Sequence, residues 1–300
     1  MSQTTNHVLM VRPVRFGFNE ETAVNNAFQH QGDAEMTARQ AVEEFDAFVA
    51  LLRENGVTVD VLQDTPEPFT PDSIFPNNCF STHGDTLVLY PMFAPNRRLE
   101  REKLLKVIQA DKFKRVLHLY DLEEFGTALE GTGSLVLDRE HRVAYACLSP
   151  RTHLNTLRLW AGEMDYDCFA FHSYDEQGTP VYHTNVVMHV GTRQAVVCLD
   201  SIRDESERSG ILARLKSYGK EVVPITMEQM HHFAGNMLEL TGANGEQLLV
   251  MSQTALHSLT PAQLAILGKD TRIIAPDIHV IETVGGGSAR CMIAELFTLP

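Results

Sequence analysis

The segment Asp72-Ser-Ile-Phe-Pro-Asn77-Asn78, followed by the apolar run Thr86-Leu-Val-Leu-Tyr90, shows the unit from which this chain is built. Similar polar clusters recur at intervals of about 50 residues, which indicates a repeat architecture. The other clusters are Leu129-Glu130-Gly131-Thr132-Gly133, Tyr182-His183-Thr184-Asn185, Gly235-Asn236-Met-Leu-Glu239-Leu and Gly285-Gly-Gly287-Ser-Ala-Arg-Cys291. If each repeat delivers its cluster to one common point, a cysteine, a histidine, a carboxylate and amides become neighbours there.

Each repeat is predicted to contain a helix and two strands around its cluster. Apolar runs at 143–147, 195–199 and 247–251 follow the next three clusters as strands. Residues 36–53 have apolar side chains at helical spacing and are followed by Gly56, a typical C-terminal residue. Further helices are predicted at 96–110, 151–161, 204–218 and 260–267, and β-rich runs at 57–62, 115–119, 166–171, 221–225 and 272–274.

The connections predict a mixed sheet in each repeat. Helical crossovers favour parallel strand pairs, whereas tight turns such as Asn244-Gly245 favour antiparallel pairs. The N-terminal strand at 7–11 has no partner before it, so we expect it to complete the last repeat and close a ring. No linker or low-complexity tract divides the chain, and a single domain over 1–300 is expected.

Composition narrows the class of protein. The chain has 44% hydrophobic and 21% charged residues and a formal net charge of −14, which argues against a nucleic-acid partner. No apolar run approaches the roughly 20 residues of a membrane span, and no signal peptide is evident, so no membrane partner and a cytoplasmic location are expected. The 5 cysteines are odd in number and lie on predicted apolar strands apart from Cys291, which fits reduced thiols.

Cys291 is the candidate nucleophile because it alone follows a glycine run outside an apolar strand. A cysteine reacts as its thiolate, so a neighbour must lower its pKa or take its proton. His183 can do this, since an unperturbed histidine has a pKa of about 6.5; a cationic substrate or the backbone N–H groups at 285–287 are alternatives. Glu130 could hold His183 or accept N–H bonds from the substrate, and Asn185 could orient the same face.

Other suggestive residues favour structural interpretations. His231 and His232 are adjacent and therefore point apart, which is unsuitable for a metal pair. His189 alternates with apolar neighbours. No cysteine pair has zinc-site spacing, and the glycine run lacks the lysine of a phosphate-binding loop. No metal and no cofactor are predicted, and the roles of Glu239, His231 and His232 are left open.

The order of these motifs resembles the guanidino-modifying enzymes of the pentein superfamily, which include arginine and agmatine deiminases, dimethylarginine dimethylaminohydrolases, amidinotransferases and citrulline-utilisation hydrolases. The resemblance covers nearly the whole chain. It implies a five-fold pseudosymmetric α/β propeller with mixed sheets and an active site in the central channel. The dimethylarginine branch is matched by Asp72-Ser-Ile-Phe, Ala94-Pro-Asn-Arg97-Arg98 and Leu148-Ser-Pro-Arg151-Thr152, and the citrulline branch by Met10-Val-Arg-Pro13 and Phe75-Pro-Asn-Asn78.

Departures from the family pattern point to the substrate. Asn77 and Asn78 stand where relatives usually present carboxylates to a guanidinium, and His183-Thr-Asn185 replaces a His-x-Asp motif. Amides carry no charge and suit a neutral ureido group, whose carbonyl accepts and whose N–H groups donate. Arg97 and Arg151 are predicted to bind the substrate α-carboxylate. Asp72, Glu130 and Glu239 remain as partners for a cationic group.

The predicted reaction is hydrolysis of citrulline to ornithine, ammonia and carbon dioxide through a covalent adduct on Cys291. The small amino-acid substrate is the only partner predicted, with homo-oligomerisation left open. An arginine deiminase or dimethylarginine dimethylaminohydrolase using the same machinery is the alternative. An amidinotransferase, which needs an amine acceptor, and a non-catalytic pentein are lesser alternatives.

Overall fold

The computed structural model describes residues 2–31 and 34–297, so the predicted domain limits at 1 and 300 lie outside the described residues. The strands are β1 His7–Arg12, β2 Thr58–Gln63, β3 Phe80–His83, β4 Thr86–Leu89, β5 Arg115–His118, β6 Val136–Asp138, β7 Val143–Cys147, β8 Asp167–Phe171, β9 Met188–Val190, β10 Gln194–Val197, β11 Glu221–Pro224, β12 Leu238–Thr241, β13 Gln247–Val250, β14 Arg272–Ile274 and β15 Ala294–Glu295. The α-helices are α1 Glu20–Ala23, α2 Ala34–Glu54, α3 Pro95–Arg98, α4 Glu100–Ile108, α5 Gly131–Ser134, α6 Leu154–Met164, α7 Thr184–Val187, α8 Glu205–Ser217, α9 Met227–His231, α10 Gln253–Ser258, α11 Pro261–Leu267 and α12 His279–Gly285. Short 3₁₀ helices span Pro76–Asn78, Ala110–Lys112, Leu119–Phe125, Leu199–Ser201 and Ala243–Gly245.

The described strands form five three-stranded mixed sheets, which confirms the predicted repeat. The strand orders are β15-β1-β2, β3-β4-β5, β6-β7-β8, β9-β10-β11 and β12-β13-β14. In each sheet the central strand has an antiparallel neighbour on one side and a parallel neighbour on the other. The N-terminal strand β1 pairs antiparallel with the C-terminal β15, Val8 opposite Glu295, so both chain ends share one sheet as predicted.

Local sequence explains why these elements form. The central strands are short apolar runs such as β4 and β7, every residue of which is buried, as expected for strands covered on both faces. Helices connect the parallel pairs, and α2 buries a stripe of apolar residues three and four positions apart. That stripe is Ala41, Phe45, Phe48 and Leu52.

Three details differ from the sequence-based expectations. The predicted helix at 96–110 is two helices, α3 and α4, and the helix predicted from 151 begins only at Leu154, because residues 149–152 form a bridged turn. Only Cys147 and Cys168 of the four remaining cysteines lie within strands. Cys79 directly follows a 3₁₀ helix and Cys198 directly precedes one, so their predicted positions on strands were wrong.

The polar clusters lie in single turns that meet one another. The 3₁₀ helix Pro76–Asn78 and helix α7 both contact α5. A β-carbon on Gly131 would lie 2.2 Å from the carbonyl oxygen of Asn77, and one on Gly235 would lie 2.2 Å from that of Val186. Glycine at these positions therefore lets the backbones of neighbouring repeats approach closely. Among the described residues, no helix is both long and apolar enough to cross a bilayer.

Candidate active site

Cys291 lies in the turn between α12 and β15 and is 4% exposed. Its sulfur accepts N–H donors from Asn236 at 3.3 Å and Asn185 at 3.5 Å. The backbone N–H of Arg290 donates to Oδ1 of Asn236 at 3.0 Å, which turns the Asn236 amide nitrogen toward the sulfur. Burial raises the pKa of the Cys291 thiol, and these hydrogen bonds only partly oppose it. Burial therefore favours the protonated thiol over the thiolate.

His183 lies just before α7, and its Nε2 is 2.8 Å from Oε2 of Glu130, the residue just before α5. The other oxygen of Glu130 accepts the N–H of Phe93 at 3.0 Å. Burial acts to raise the pKa of Glu130, but the Arg151 charge and the His183 hydrogen bond bring it to about 2. Burial lowers the pKa of His183 to about 4 despite its bond to Glu130. Since ionised Glu130 only accepts, Nε2 carries the proton and Nδ1 is the basic ring nitrogen.

Six of the predicted site residues line one small buried cavity. They are Asp72, Asn78, Arg97, Arg151, His183 and Cys291, and Asn26, Phe75, Tyr182 and Gly285–Gly287 complete the lining. The free volume is about 10 Å³, enough for about one water molecule. An amino acid would need more room than that, so part of the lining would have to move for one to bind in this cavity.

The segment that carries α1 covers this cavity with polar contacts. Asn19 and Thr22 donate to Oδ2 of Asp72 at 2.8 and 3.1 Å. Arg151 donates to the Asn25 side-chain oxygen at 2.9 Å and to the Thr22 carbonyl at 2.9 Å. The amide of Asn26 donates to the carbonyl of Gly286 at 3.2 Å. Sequence reasoning assigned no role to this segment, which lies outside the repeated clusters.

The remaining predicted residues lie around this cavity in different ways. Asn185 and Glu130 contact the lining residues Cys291 and His183 directly. Asn77 instead donates to Thr132 at 3.3 Å, outside the cavity lining. The oxygens Oδ1 of Asn77 and Asn185 are buried and have no hydrogen-bond partner in the structure.

Arg97 is almost wholly engaged by protein groups. Its guanidinium donates to both oxygens of Glu100, at 2.9 and 3.1 Å, and to Oδ1 of Asn78 at 2.8 Å. It also donates to the carbonyl of Phe75 at 3.1 Å. Its role at a substrate carboxylate stays a prediction. Glu100, like Asn236, was missed as a site residue, although it follows Arg97 by three positions, a spacing that brings side chains together on one helical face.

Glu239, His231 and His232, whose roles the sequence left open, lie outside the lining of the Cys291 cavity. Glu239 accepts the backbone N–H of Thr192 at 2.7 Å. His231 bonds Glu176 at 2.8 Å, and His232 bonds the carbonyl of Glu228 at 2.9 Å, so the two rings have separate partners. Within residues 2–31 and 34–297, no group of three or more His, Cys, Asp or Glu side chains is arranged to hold a metal ion.

Five mixed sheets that carry Cys291, His183 and Glu130 on separate repeats agree with the predicted pentein fold. A family model described as N,N dimethylarginine dimethylhydrolase, eukaryotic, matches residues 12–298. The chain belongs to this family. No curated protein matches it in sequence.

Solved structures share the fold at low sequence identity. The N-terminal domain of ArgZ, an arginine dihydrolase from the ornithine–ammonia cycle in Cyanobacteria, is 17% identical with a TM-score of 0.78, over 98% of each chain. The chain spans only 41% of whole ArgZ, at 18% identity and a TM-score of 0.79. A dimethylarginine dimethylaminohydrolase adduct with S-methyl-L-thiocitrulline is 15% identical with a TM-score of 0.65, over 97% of this chain and 99% of that one.

Proposed function

We propose that this protein is a cysteine-dependent hydrolase that cleaves the ureido C–N bond of citrulline, giving ornithine, ammonia and carbon dioxide. Cys291 is the nucleophile, His183 the general base and acid, and Glu130 the group that holds His183. The reaction needs neither a metal nor an organic cofactor in this proposal.

The choice of a neutral substrate rests on the amides around the reacting groups. Asn185 and Asn236 contact the sulfur, and Asn78 lines the cavity beside it. The nearby carboxylates Glu130 and Glu100 each have both oxygens occupied by protein donors. A buried guanidinium without a carboxylate partner loses roughly several kcal/mol, whereas an uncharged ureido group avoids this penalty.

The α-amino-acid end of the substrate has candidate partners in Asp72 and Arg151. Both line the cavity, and both are bonded to the covering segment through side chains that resemble parts of an amino acid. The Asn19 amide donates to Asp72 where a substrate ammonium would donate. The Asn25 side-chain oxygen accepts from Arg151 where a substrate carboxylate would accept. A substrate ammonium and carboxylate replace these contacts when the segment moves, at about the same number of hydrogen bonds.

The first half-reaction uses the neutral thiol and the neutral imidazole. The Cys291 proton passes to Nδ1 of His183 as sulfur bonds to the ureido carbon, and the carbonyl π-electrons move to oxygen. Glu130 stabilises the imidazolium across the 2.8 Å hydrogen bond. His183 then protonates one of the two nitrogens, that C–N bond breaks, and a thiocarbamate on Cys291 remains.

The second half-reaction hydrolyses the thiocarbamate. His183, neutral again, takes a proton from water as its oxygen bonds to the carbon, and the C–S bond breaks with return of the proton to sulfur. The carbamate released loses carbon dioxide and frees the second amine. One citrulline and one water thus give one ornithine, one ammonia and one carbon dioxide.

One observation favours a cationic substrate instead. Oδ1 of Asp72 is buried in the cavity wall and has no hydrogen-bond partner, so it could accept from a guanidinium. The structural relatives named above include an arginine dihydrolase and a dimethylarginine dimethylaminohydrolase adduct. Hydrolysis of arginine or a methylated arginine by the same cysteine is therefore the second candidate.

A substrate panel separates the two candidates. Purified protein is assayed with citrulline, arginine, methylated arginines and agmatine, and ornithine, citrulline and ammonia are quantified by mass spectrometry and coupled ammonia detection. We expect the highest kcat/KM for citrulline, with no product from the Cys291→Ala variant. Rapid hydrolysis of an arginine derivative without turnover of citrulline would overturn the citrulline assignment and leave the cysteine chemistry standing.

A further inference from the structure

The orientation of the Asn78 amide is set by a cation behind it. Nη1 of Arg97 donates to Oδ1 of Asn78 at 2.8 Å. A guanidinium has only donors, so this contact requires the amide oxygen on the Arg97 side and places the NH₂ group on the other. The only hydrogen bond of Nδ2 in the described structure is a long one, 3.4 Å to the carbonyl of Glu130.

Glu100 holds Arg97 in this position. Its two oxygens accept from Nε and Nη2 of Arg97 at 2.9 and 3.1 Å, a planar fork that fixes the guanidinium. The thiol of Cys79 donates to the same carboxylate at 3.1 Å. Glu100 is 1% exposed and lies outside the cavity lining, and its hydrogen-bonded link to that lining is Arg97.

The NH₂ side of the Asn78 amide lies near the ring of His183. A β-carbon on Gly133 would lie 2.3 Å from Nδ2 of Asn78 and 2.8 Å from Nδ1 of His183, so these two nitrogens converge on the same point. Asn78 also lines the cavity that contains Cys291. An N–H donor therefore lies near the general base, on a residue that lines the cavity.

We propose that Glu100 is a positioning residue which, through Arg97, makes Asn78 present an N–H donor to the oxygen of the reacting group and so determines specificity. This inference rests on the proposed citrulline hydrolysis. A ureido oxygen accepts that N–H and gains negative charge as sulfur attacks, so the bond strengthens in the transition state. A guanidinium has an N–H donor where the ureido group has its oxygen, so this donor would point at the N–H of Asn78 without an acceptor between them, which disfavours arginine.

The test compares citrulline, its sulfur analogue thiocitrulline and arginine in wild type, Glu100→Gln and Cys79→Ala. A glutamine cannot accept both Arg97 donors, so the Asn78 amide loses its fixed orientation. We expect kcat for citrulline to fall about tenfold or more in Glu100→Gln, less than the roughly 10² to 10³ for outright loss of one oxyanion donor, because Asn78 itself is retained. The C=S group of thiocitrulline is a weaker hydrogen-bond acceptor than the C=O group of citrulline. The ratio of kcat for citrulline to kcat for thiocitrulline should therefore be smaller in Glu100→Gln than in wild type, and so should the ratio of kcat for citrulline to kcat for arginine. Cys79→Ala leaves the Arg97 contacts intact and should keep both ratios.

The outcomes separate this inference from the proposed function. A wild type that prefers arginine to citrulline rejects the proposed function whatever the variants do. A wild type that prefers citrulline, with a folded Glu100→Gln variant that slows all three substrates equally, rejects only the positioning role. If Glu100→Gln does not fold, Arg97→Lys serves the same comparison, because lysine keeps the ion pair but lacks the planar fork that orients Asn78.

Discussion

Replacing Glu130 with glutamine tests the proposed role of His183 most directly. The carboxylate is fully buried, bonds His183 at 2.8 Å and lies 3.6 Å from Nη1 of Arg151. Its second oxygen accepts the N–H of Phe93. A glutamine has one acceptor oxygen, so it can satisfy His183 or Phe93 but not both, and it leaves the Arg151 charge without this counter-ion.

The expected loss follows from these contacts. The imidazolium that forms when the Cys291 proton reaches His183 loses its negative partner, so kcat should fall by about 10² to 10⁴, which is roughly 3 to 5 kcal/mol in the barrier. Removal of one partner from a buried ion pair should also lower the free energy of unfolding by about 3 to 5 kcal/mol. The loss of kcat and the loss of unfolding free energy both come from removal of the Glu130 charge, so they should appear together.

Initial rates with the best substrate and urea unfolding curves measure both quantities. Glu239→Gln is the matched control, because Glu239 is also a buried carboxylate that accepts a backbone N–H, yet it lies outside the Cys291 cavity. We expect that control to keep its turnover number. A folded Glu130→Gln enzyme whose kcat stays within about tenfold of wild type would refute the reasoning, since the His183 imidazolium would then need no carboxylate.

The remaining predictions can be checked with activity assays, mass spectrometry and unfolding curves. Cys291→Ala should show no turnover with unchanged circular dichroism, and mass spectrometry of trapped wild type should find the adduct on the peptide that contains Cys291; an adduct elsewhere contradicts the mechanism. His183→Ala should lower kcat by about 10² to 10⁴, and wild-type activity should fall as the pH drops through about 4, the lowered pKa of His183, rather than through 6.5. In the unfolded chain His183 has an ordinary pKa of about 6.5, so as the pH falls the unfolded state takes up the proton before the folded state does. The contribution of neutral His183 to the free energy of unfolding should therefore be intact above a pH of about 6.5 and be lost as the pH falls toward about 4. Unfolding curves at each pH measure this loss. Asn78→Asp should shift the kcat/KM ratio from citrulline toward arginine, whereas Asn244→Asp on the exposed 3₁₀ turn should not; equal ratios argue against amide recognition. Gly133→Ala should reduce kcat because its β-carbon would lie 2.3 Å from the amide nitrogen of Asn78, and an unaffected rate would show that this wall is not part of the site.

Much of the fold follows from local sequence periodicity. The central strands β4, β7, β10 and β13 are short apolar runs, and the stripe on α2 has helical spacing, so both are readable without tertiary information. The mixed pairing in each repeat follows as well, since a tight turn makes an antiparallel pair and a helical crossover makes a parallel one. The outer hairpin strands β3, β6, β9 and β12 were harder to predict, because polar residues such as Ser81, Asp138, His189 and Glu239 interrupt their apolar runs.

The sequence also identified most of the candidate site, because chemically reactive residue types recur once per repeat. Cys291, His183, Asp72, Asn78, Arg97 and Arg151 were all named from the clusters or from the family resemblance, and they line one cavity. Their roles in catalysis and binding stay predictions. The same patterns indicated that Asn236 lies near the site, but not that it donates to the sulfur.

Only the tertiary structure decided which atoms of these residues meet. The 2.8 Å bond from Arg97 to Asn78, the carboxylate of Glu100 behind it and the segment from Asn19 to Asn26 over the cavity have no counterpart in sequence periodicity. Periodicity reports which face of an element is buried, through its apolar residues. A hydrogen bond between residues 53 or 260 positions apart, such as Asn19 to Asp72 or Asn26 to Gly286, depends on how separate repeats pack and on the direction of each side chain, and the order of residues along the chain specifies neither.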